Sequence, residues 1–237
     1  MPDPDRVALI TGASGALGRA AAAAFAADGW RLGLAGMHLE RLRDVAASAA
    51  IPEGRWVAAA ADLRTSDGAA TVVRAVTERF GRIDALLHLI GGFVPGAPIL
   101  ELDPADLDWM LDQHLRSTLH LARAVVPGMI ERGFGRVLAV SSSTTVSLPA
   151  RASIYATSKI AQETVLRILA REVAATGVTV NLVAVRQIDA AHEREREPTP
   201  KNAAWTTPEE IVETFRFLCS DAATAINGAR IALDGRA

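Results

Sequence analysis

Tyr155 and Lys159 stand four residues apart, and Ser142 lies thirteen residues before the tyrosine. On a helix, residues four apart share one face, so the phenol and the ammonium fall side by side. A phenol titrates near ~10 and is a poor acid–base group at neutral pH unless a nearby cation stabilises its phenolate. A serine hydroxyl in the same place can hold and polarise an oxygen on which charge develops. The trio therefore suits proton transfer to and from the oxygen of a carbonyl/alcohol pair. An exposed Tyr/Lys pair is common on any helix; the weight here comes from all three residues falling beside a nucleotide-type turn.

That turn is Thr11-Gly12-Ala13-Ser14-Gly15-Ala16-Leu17-Gly18, placed between a short apolar run and an alanine-rich stretch. Glycines in such a strand-to-helix turn permit a tight bend, close approach of backbone to a pyrophosphate, and close helix–strand packing. The helix start supplies unpaired N–H groups and a positive dipole end. Gly12, Ser14, Gly15, Ala16, Leu17 and Gly18 are accordingly cofactor-binding candidates. Asp62-Leu63 after the third strand is placed to meet an adenine amino group. Gly91-Gly92 after the fourth is placed to let bare backbone pass a ribose. At the carboxyl ends of successive strands these positions line one crevice. An NAD site sets an acid after the second strand; here that place is Gly36-Met37-His38, so Met37 faces the ribose without a carboxylate and NADP(H) is preferred over NAD(H). Arg19, His38 and Arg41 are the cations that could meet a 2′-phosphate.

The elements that must position these residues alternate along the chain. Strands are expected at Arg6–Thr11, Arg31–Ala35, Trp56–Ala60, Ile83–Ile90, Val137–Ser141, Val178–Val185 and Arg230–Leu233. Helices are expected at Ala16–Ala27, Leu39–Ala50, Asp67–Phe80, Pro104–Arg132, Ile154–Thr176 and Thr207–Ser220, the last opened by Thr207-Pro208-Glu209-Glu210, where proline and acids suit a helix start. Apolar strands alternating with helices of this length give βαβ units and a parallel sheet covered on both faces. The fold class is α/β: a doubly wound parallel sheet of about seven strands in a single domain spanning 1–237. The charged stretch Glu193-Arg194-Glu195-Arg196-Glu197 reads as a solvated loop or short exposed helix.

The net charge of −2 gives no basis for a nucleic-acid or anionic-membrane partner. Cys219 is the only cysteine, so an intramolecular disulfide and a thiolate metal cluster are both excluded; a reduced, cytoplasmic setting is expected. The start, Met-Pro-Asp-Pro-Asp-Arg, lacks a basic region followed by an apolar one, and no apolar run reaches the length of a membrane span. The five histidines show no paired ligand spacing, and no metal site is expected.

From Arg6 to Gly235 the chain resembles the short-chain dehydrogenase/reductase superfamily. The resemblance rests on the Thr11–Gly18 turn, Asp62-Leu63, Ser142 with Tyr155-x3-Lys159, Val180-Asn181, and Asn227-Gly228 with Leu233-Asp234-Gly235. It implies a Rossmann-like NAD(P)-binding domain. Tyr155 would be the acid/base, Lys159 would lower its pKa and hold the nicotinamide ribose, Ser142 would position the carbonyl, and Ile188 would lie against the cofactor. It also implies a substrate lid at about 186–206, a small carbonyl or alcohol as substrate, and a homotetramer or homodimer built on the two long helices. Leu115, Leu119, Ala122, Leu166 and Leu169 make those helices apolar over more than one stripe. There are departures. His88-Leu89-Ile90-Gly91 replaces the family's Asn-Asn-Ala-Gly, and Val185-Arg186 replaces its Pro-Gly. His114 stands where an asparagine usually anchors a relay water. His114 recurs on the inward face with Leu107, Leu111, Thr118, Leu121 and Val125, and is a catalytic candidate, either holding that water or exchanging protons near its reference pKa of ~6.5. Arg186 is placed to face the nicotinamide end. A narrower likeness, in Gly12–Gly18 and Trp205–Phe215, is to dihydropteridine reductases, though Ser142 is present and an acid after the second strand is missing. A low-turnover NAD(P)-binding sensor or scaffold is the alternative outside catalysis.

Overall fold

The computed structural model describes residues 5–234; residues 1–4, read for a leader, and Gly235 of the C-terminal motif lie outside the described residues. The chain runs β1 Val7–Thr11, α1 Ala16–Ala27, β2 Arg31–Gly36, α2 Leu39–Ser48, β3 Trp56–Ala60, α3 Ser66–Phe80 and β4 Ala85–His88. It continues through α4 Pro104–Leu111, a π-helical turn Asp112–Arg116, α5 Ser117–Glu131, β5 Gly135–Ser142, α6 Thr144–Ser147, α7 Ser153–Glu172, β6 Val178–Val185, α8 Glu193–Arg196, α9 Pro208–Cys219 and β7 Arg230–Ala232.

The seven strands are all parallel, in the order β3-β2-β1-β4-β5-β6-β7. The inner strands β1, β4 and β6 are buried throughout, and β5 everywhere but Val140, because the sheet is covered on both faces. One apolar layer joins the sheet to α1, α2 and α9 through Leu17, Phe25, Leu42, Ile211 and Phe215. The other joins it to α3, α5 and α7 through Val72, Val76, Leu121, Val125 and Leu166. Gly33 lets α3 close on β2, since a Cβ there would stand 2.4 Å from Val76 Cγ2. This is the expected Rossmann-like single domain. Strand order reverses between β1 and β4, which opens a crevice at their carboxyl ends, where a doubly wound sheet holds its ligand.

Three expectations are corrected by the structure. The apolar run Ile83–Ile90 gives only a four-residue strand, because Leu89 N–H turns out of the ladder to Thr11 Oγ1 at 3.2 Å. The helix expected over Pro104–Arg132 is interrupted by the π turn, where Ser117 Oγ donates to Gln113 O at 2.6 Å and Thr118 Oγ1 to His114 O at 2.5 Å. Leu166 faces the core rather than an outer stripe; the exposed apolar residues of α5 and α7 include Leu119, Ile160 and Ile168. The charged run after β6 forms the short exposed helix expected there, Glu193–Arg196, with Arg194 half-buried. Ile188 bridges Thr206, Asp189 caps α8 by accepting from Glu193 N and Arg194 N, and Arg194 forms a two-pronged pair with Glu210 at 2.9 and 3.0 Å. Glu210 in turn completes a capping box with Thr207 at the start of α9.

Candidate active site

Two cavities open at the carboxyl ends of the strands. One of about 490 Å³ lies over β1, β2 and β3 and is lined by Gly12, Ser14, Gly15, Met37, Asp62, Leu63 and Gly91 among the sequence candidates. The other, of about 720 Å³, lies over β5 and β6 and is lined by Ser142, Tyr155, Arg186 and Ile188. Ala16 opens α1 on its exposed side, while Leu17 and Gly18 are buried beneath the turn.

The turn is shaped as a cradle. Gly12 has φ of +68°, in the left-handed region that favours glycine, and a Cβ there would meet the Leu89 carbonyl at 3.1 Å. At Gly18 a Cβ would stand 2.3 Å from Gly12 O, so only glycine lets α1 rest directly on the loop. The N-cap Gly15 offers no side-chain acceptor and the first turn of α1 holds no acid, which leaves helix N–H donors for an anionic ligand. The residues present therefore fit a dinucleotide pyrophosphate. Asp62 lines the same cavity, but its carboxylate is already bound to Arg64: Oδ1 accepts from the backbone N–H at 3.0 Å and Nε at 2.9 Å, and Oδ2 from Nη2 at 2.7 Å. The guanidinium bond holds the Asp62 pKa below the usual carboxylate range. Arg64 was not singled out from sequence, and neither were Trp109 and Gln113, which the π turn and α4 bring to the same cavity. Gly92 is matched to Trp109, whose ring edge a Cβ would meet at 2.3 Å.

Ser142 ends β5, and Tyr155 and Lys159 lie in the first two turns of α7. The Ser142 hydroxyl and the Tyr155 phenol line the same cavity. Ser142 Oγ accepts from Thr144 N at 3.2 Å and Thr144 Oγ1 at 2.9 Å. Burial pushes the Tyr155 pKa up, and the Ser142 hydroxyl works in the opposite direction. Lys159 is buried; its Nζ donates to Val140 O at 3.0 Å and Gln162 Oε1 at 3.0 Å, leaving a third N–H. Burial pushes its pKa down to about 8, with Glu163 opposing. Gln162 passes the chain of bonds on, its Nε2 donating to Thr118 Oγ1 at 2.9 Å. Behind Ser142, Arg230 Nη2 donates to the Ser142 carbonyl at 2.9 Å while its Nε donates to Glu163 at 3.0 Å, and Ser141 Oγ also donates to Glu163. Gln162, Glu163 and Arg230 carry no spacing signal, because tertiary packing alone brings them to the site.

His114 is fully buried in the π turn, its ring edge-on to Tyr155 at 5.7 Å between centroids. Ser158 Oγ spends its hydrogen on Tyr155 O at 2.9 Å, so His114 Nδ1 must carry the proton it shares with Ser158 Oγ at 2.9 Å. Nε2 is then an acceptor, and the Gly92 N–H lies 3.4 Å from it. The expected titration near neutrality is corrected here: burial, then the Lys159 charge, push the His114 pKa down to about 2. His88 sits nearby with a pKa pushed to about 3 by burial and Lys159, its ring between Thr11 Oγ1 at 3.0 Å and Ser117 Oγ at 3.3 Å.

Residues 12–235 match a family model described as enoyl-(acyl carrier protein) reductase. The chain is 37% identical over 232 residues, 94% of its own length and 90% of the relative's, to (2S)-[(R)-hydroxy(phenyl)methyl]succinyl-CoA dehydrogenase subunit BbsC of Thauera aromatica. A short chain dehydrogenase from Bacillus anthracis superposes with a TM-score of 0.88 at 27% identity, covering 98% of this chain and 96% of the other. L-sorbose reductase from Gluconobacter frateurii, complexed with NADPH and L-sorbose, does so with 0.87 at 28% identity, covering 97% and 95%.

Proposed function

Because the chain belongs to the short-chain dehydrogenase/reductase superfamily and is an oxidoreductase of that family, we propose that it moves a hydride between NADP(H) or NAD(H) and a small carbonyl or alcohol. The observation that carries this reading is that Ser142 and Tyr155 line the 720 Å³ cavity together, with the Lys159 ammonium buried on the same helix as the tyrosine. When bound, the nicotinamide supplies or accepts the hydride. Ser142, fixed by Thr144 and by the Arg230 hold on its carbonyl, orients the reacting oxygen. Tyr155 gives that oxygen a proton in reduction and takes it back in oxidation. Lys159, anchored by two acceptors, turns its third N–H to the ribose and lends positive charge to the phenolate, offsetting the effect of burial on Tyr155. His114 remains neutral and is a positioning residue: through Ser158 it fixes the backbone carbonyl of Tyr155, and through Gly92 the loop entering the cavity.

The segment at 186–206, stapled by the Arg194–Glu210 pair, serves as the substrate lid. NADP(H) is the favoured cofactor: Met37 offers no acid, and Asp62, the acid lining the nucleotide cavity, is neutralised by Arg64. Arg19, whose Nε donates to Ser14 O at 3.2 Å, brings a cation to the turn. Exposed Leu119, Ile160 and Ile168 favour assembly into a dimer or tetramer through α5 and α7, which light scattering at micromolar concentration tests; a monomer there contradicts it. The reaction itself is tested by following deuterium from C4-labelled NADPH into a panel of ketones and aldehydes. Label in the alcohol carbon is expected; cofactor binding with no transfer to any carbonyl would leave only a binding protein.

A further inference from the structure

Resting on that oxidoreductase reading, we propose that the natural substrate is an anion: an apolar carbonyl or alcohol compound whose carboxylate or phosphate is gripped by Arg151 and Arg186. The 720 Å³ cavity has the size of a small-molecule site and carries Ser142 and Tyr155 for the reacting oxygen. Among the described residues its lining holds these two arginines and no aspartate, glutamate, lysine or histidine. In a chain of net charge −2, a cavity with two uncompensated cations is a local arrangement rather than a general bias.

Other arginines of the chain also lack an acid partner; what sets these two apart is that both line the cavity that carries Ser142 and Tyr155. Nine others, at positions 6, 31, 43, 64, 82, 116, 194, 216 and 230, sit in ion pairs with acids. Arg186, directly after β6, has no hydrogen-bond or ion-pair partner among the described residues. Among the described residues Arg151 reaches the Gly96 carbonyl alone, from Nε at 3.3 Å and Nη2 at 3.2 Å, and meets no acid. Arg151 is also held in place at a cost. Its φ is +69°, a conformation that non-glycine residues rarely adopt, and its own carbonyl abuts Gly96 so closely that a Cβ there would stand 1.9 Å away. The remaining walls are mostly apolar, with Phe93, Val94, Leu102, Ile154 and Ile188. Such walls offer little to a neutral polyhydroxy compound, but they suit an apolar body with one anionic end. An adjoining cavity shares Thr144, Arg186 and Gln187 and adds Lys201, with Asp234 as its one acid, so the positive side extends past Arg186.

The test compares 4-acetylbenzoate and 4-acetylphenyl phosphate with the uncharged methyl 4-acetylbenzoate. It uses kcat/KM with NADPH and calorimetric binding to NADP⁺-loaded protein. At least one anion is expected to exceed the ester by roughly tenfold or more at low salt, the scale of a charge-assisted hydrogen bond. The advantage should shrink as ionic strength rises. Arg151→Gln and Arg186→Gln are each expected to cut it roughly tenfold. Which anion gains identifies carboxylate or phosphate. An ester equal to both anions, or both variants retaining the full advantage, overturns the proposal. Arginine-dependent anion binding without hydride transfer upholds the anion site and overturns the oxidoreductase reading instead.

Discussion

The buried histidines make the stability of the fold depend on acid in a way that can be worked out from the structure. His114 and His88 have native pKa values pushed to about 2 and about 3, while an unfolded imidazole titrates near ~6.5. A native pKa below the unfolded one means the unfolded chain binds more protons, so the stabilisation is complete above the unfolded value and is lost as pH falls toward the native value. At pH 5.0 each unfolded histidine is protonated and each native one is still neutral. Relative to pH 7.5, that costs about 2 kcal/mol per histidine, or about 4 kcal/mol for the pair. Against a typical domain stability of ~5–15 kcal/mol this is large. The groups facing His114 do not offset the loss: they are the Ser158 hydroxyl, the Gly92 N–H, the Tyr155 ring and the Lys159 ammonium, and the ammonium opposes a second charge. Urea unfolding at pH 7.5 and pH 5.0 is the assay, on wild type, His114→Asn and His88→Asn. Carboxylates contribute equally to all three proteins, so each variant should lose about 2 kcal/mol less than wild type over the interval. Equal losses in wild type and both variants would refute the neutral, buried state of these rings.

The remaining expectations concern turnover. With Lys159 at about 8, the rate of carbonyl reduction should fall as pH rises through about 8 and show no limb near 6.5 from His114; a profile of kcat against pH checks both. Gln162→Leu removes one of the two acceptors on the ammonium, so the alkaline limb should move to lower pH and kcat should fall roughly tenfold. An unmoved limb would show that the amide does not tune the lysine. The ratio of kcat/KM should favour NADPH over NADH, and a strong NADH preference would contradict the reading of Met37 and the Asp62–Arg64 pair.

Much of the architecture was legible because local chemistry and tertiary packing agree. Ala16–Ala27, Trp56–Ala60 and Val178–Val185 have the boundaries read from sequence, since Asp28-Gly29 ends an alanine-rich helix and the strands are short and bounded. Ile83–Ile90 was read too long because a continuous apolar run looks the same in a sheet and in a crevice wall; only the Thr11 hydroxyl, far off in sequence, shows where the ladder stops. The π turn was invisible because one extra residue leaves a helical apolar stripe almost unchanged. In the candidate site, spacing brought Ser142, Tyr155 and Lys159 into view. It could not reveal Arg64 on Asp62, Gln162 on Lys159 or Arg230 on Ser142, which depend on partners set by the fold. His114 was placed on the inward face correctly, but its protonation depends on burial beside Lys159, which no spacing encodes.

The most direct measurement is pre-steady-state hydride transfer in Tyr155→Phe, alongside its NADPH affinity. The variant keeps the ring that packs against Phe93 at 5.5 Å and His114 at 5.7 Å, and removes only the phenol oxygen. Cofactor affinity close to wild type with transfer slowed by roughly 10²–10⁴-fold is the expected result for loss of a positioned acid. Transfer within tenfold of wild type would show that the phenol is not the proton donor and would contradict the Ser142–Tyr155–Lys159 mechanism.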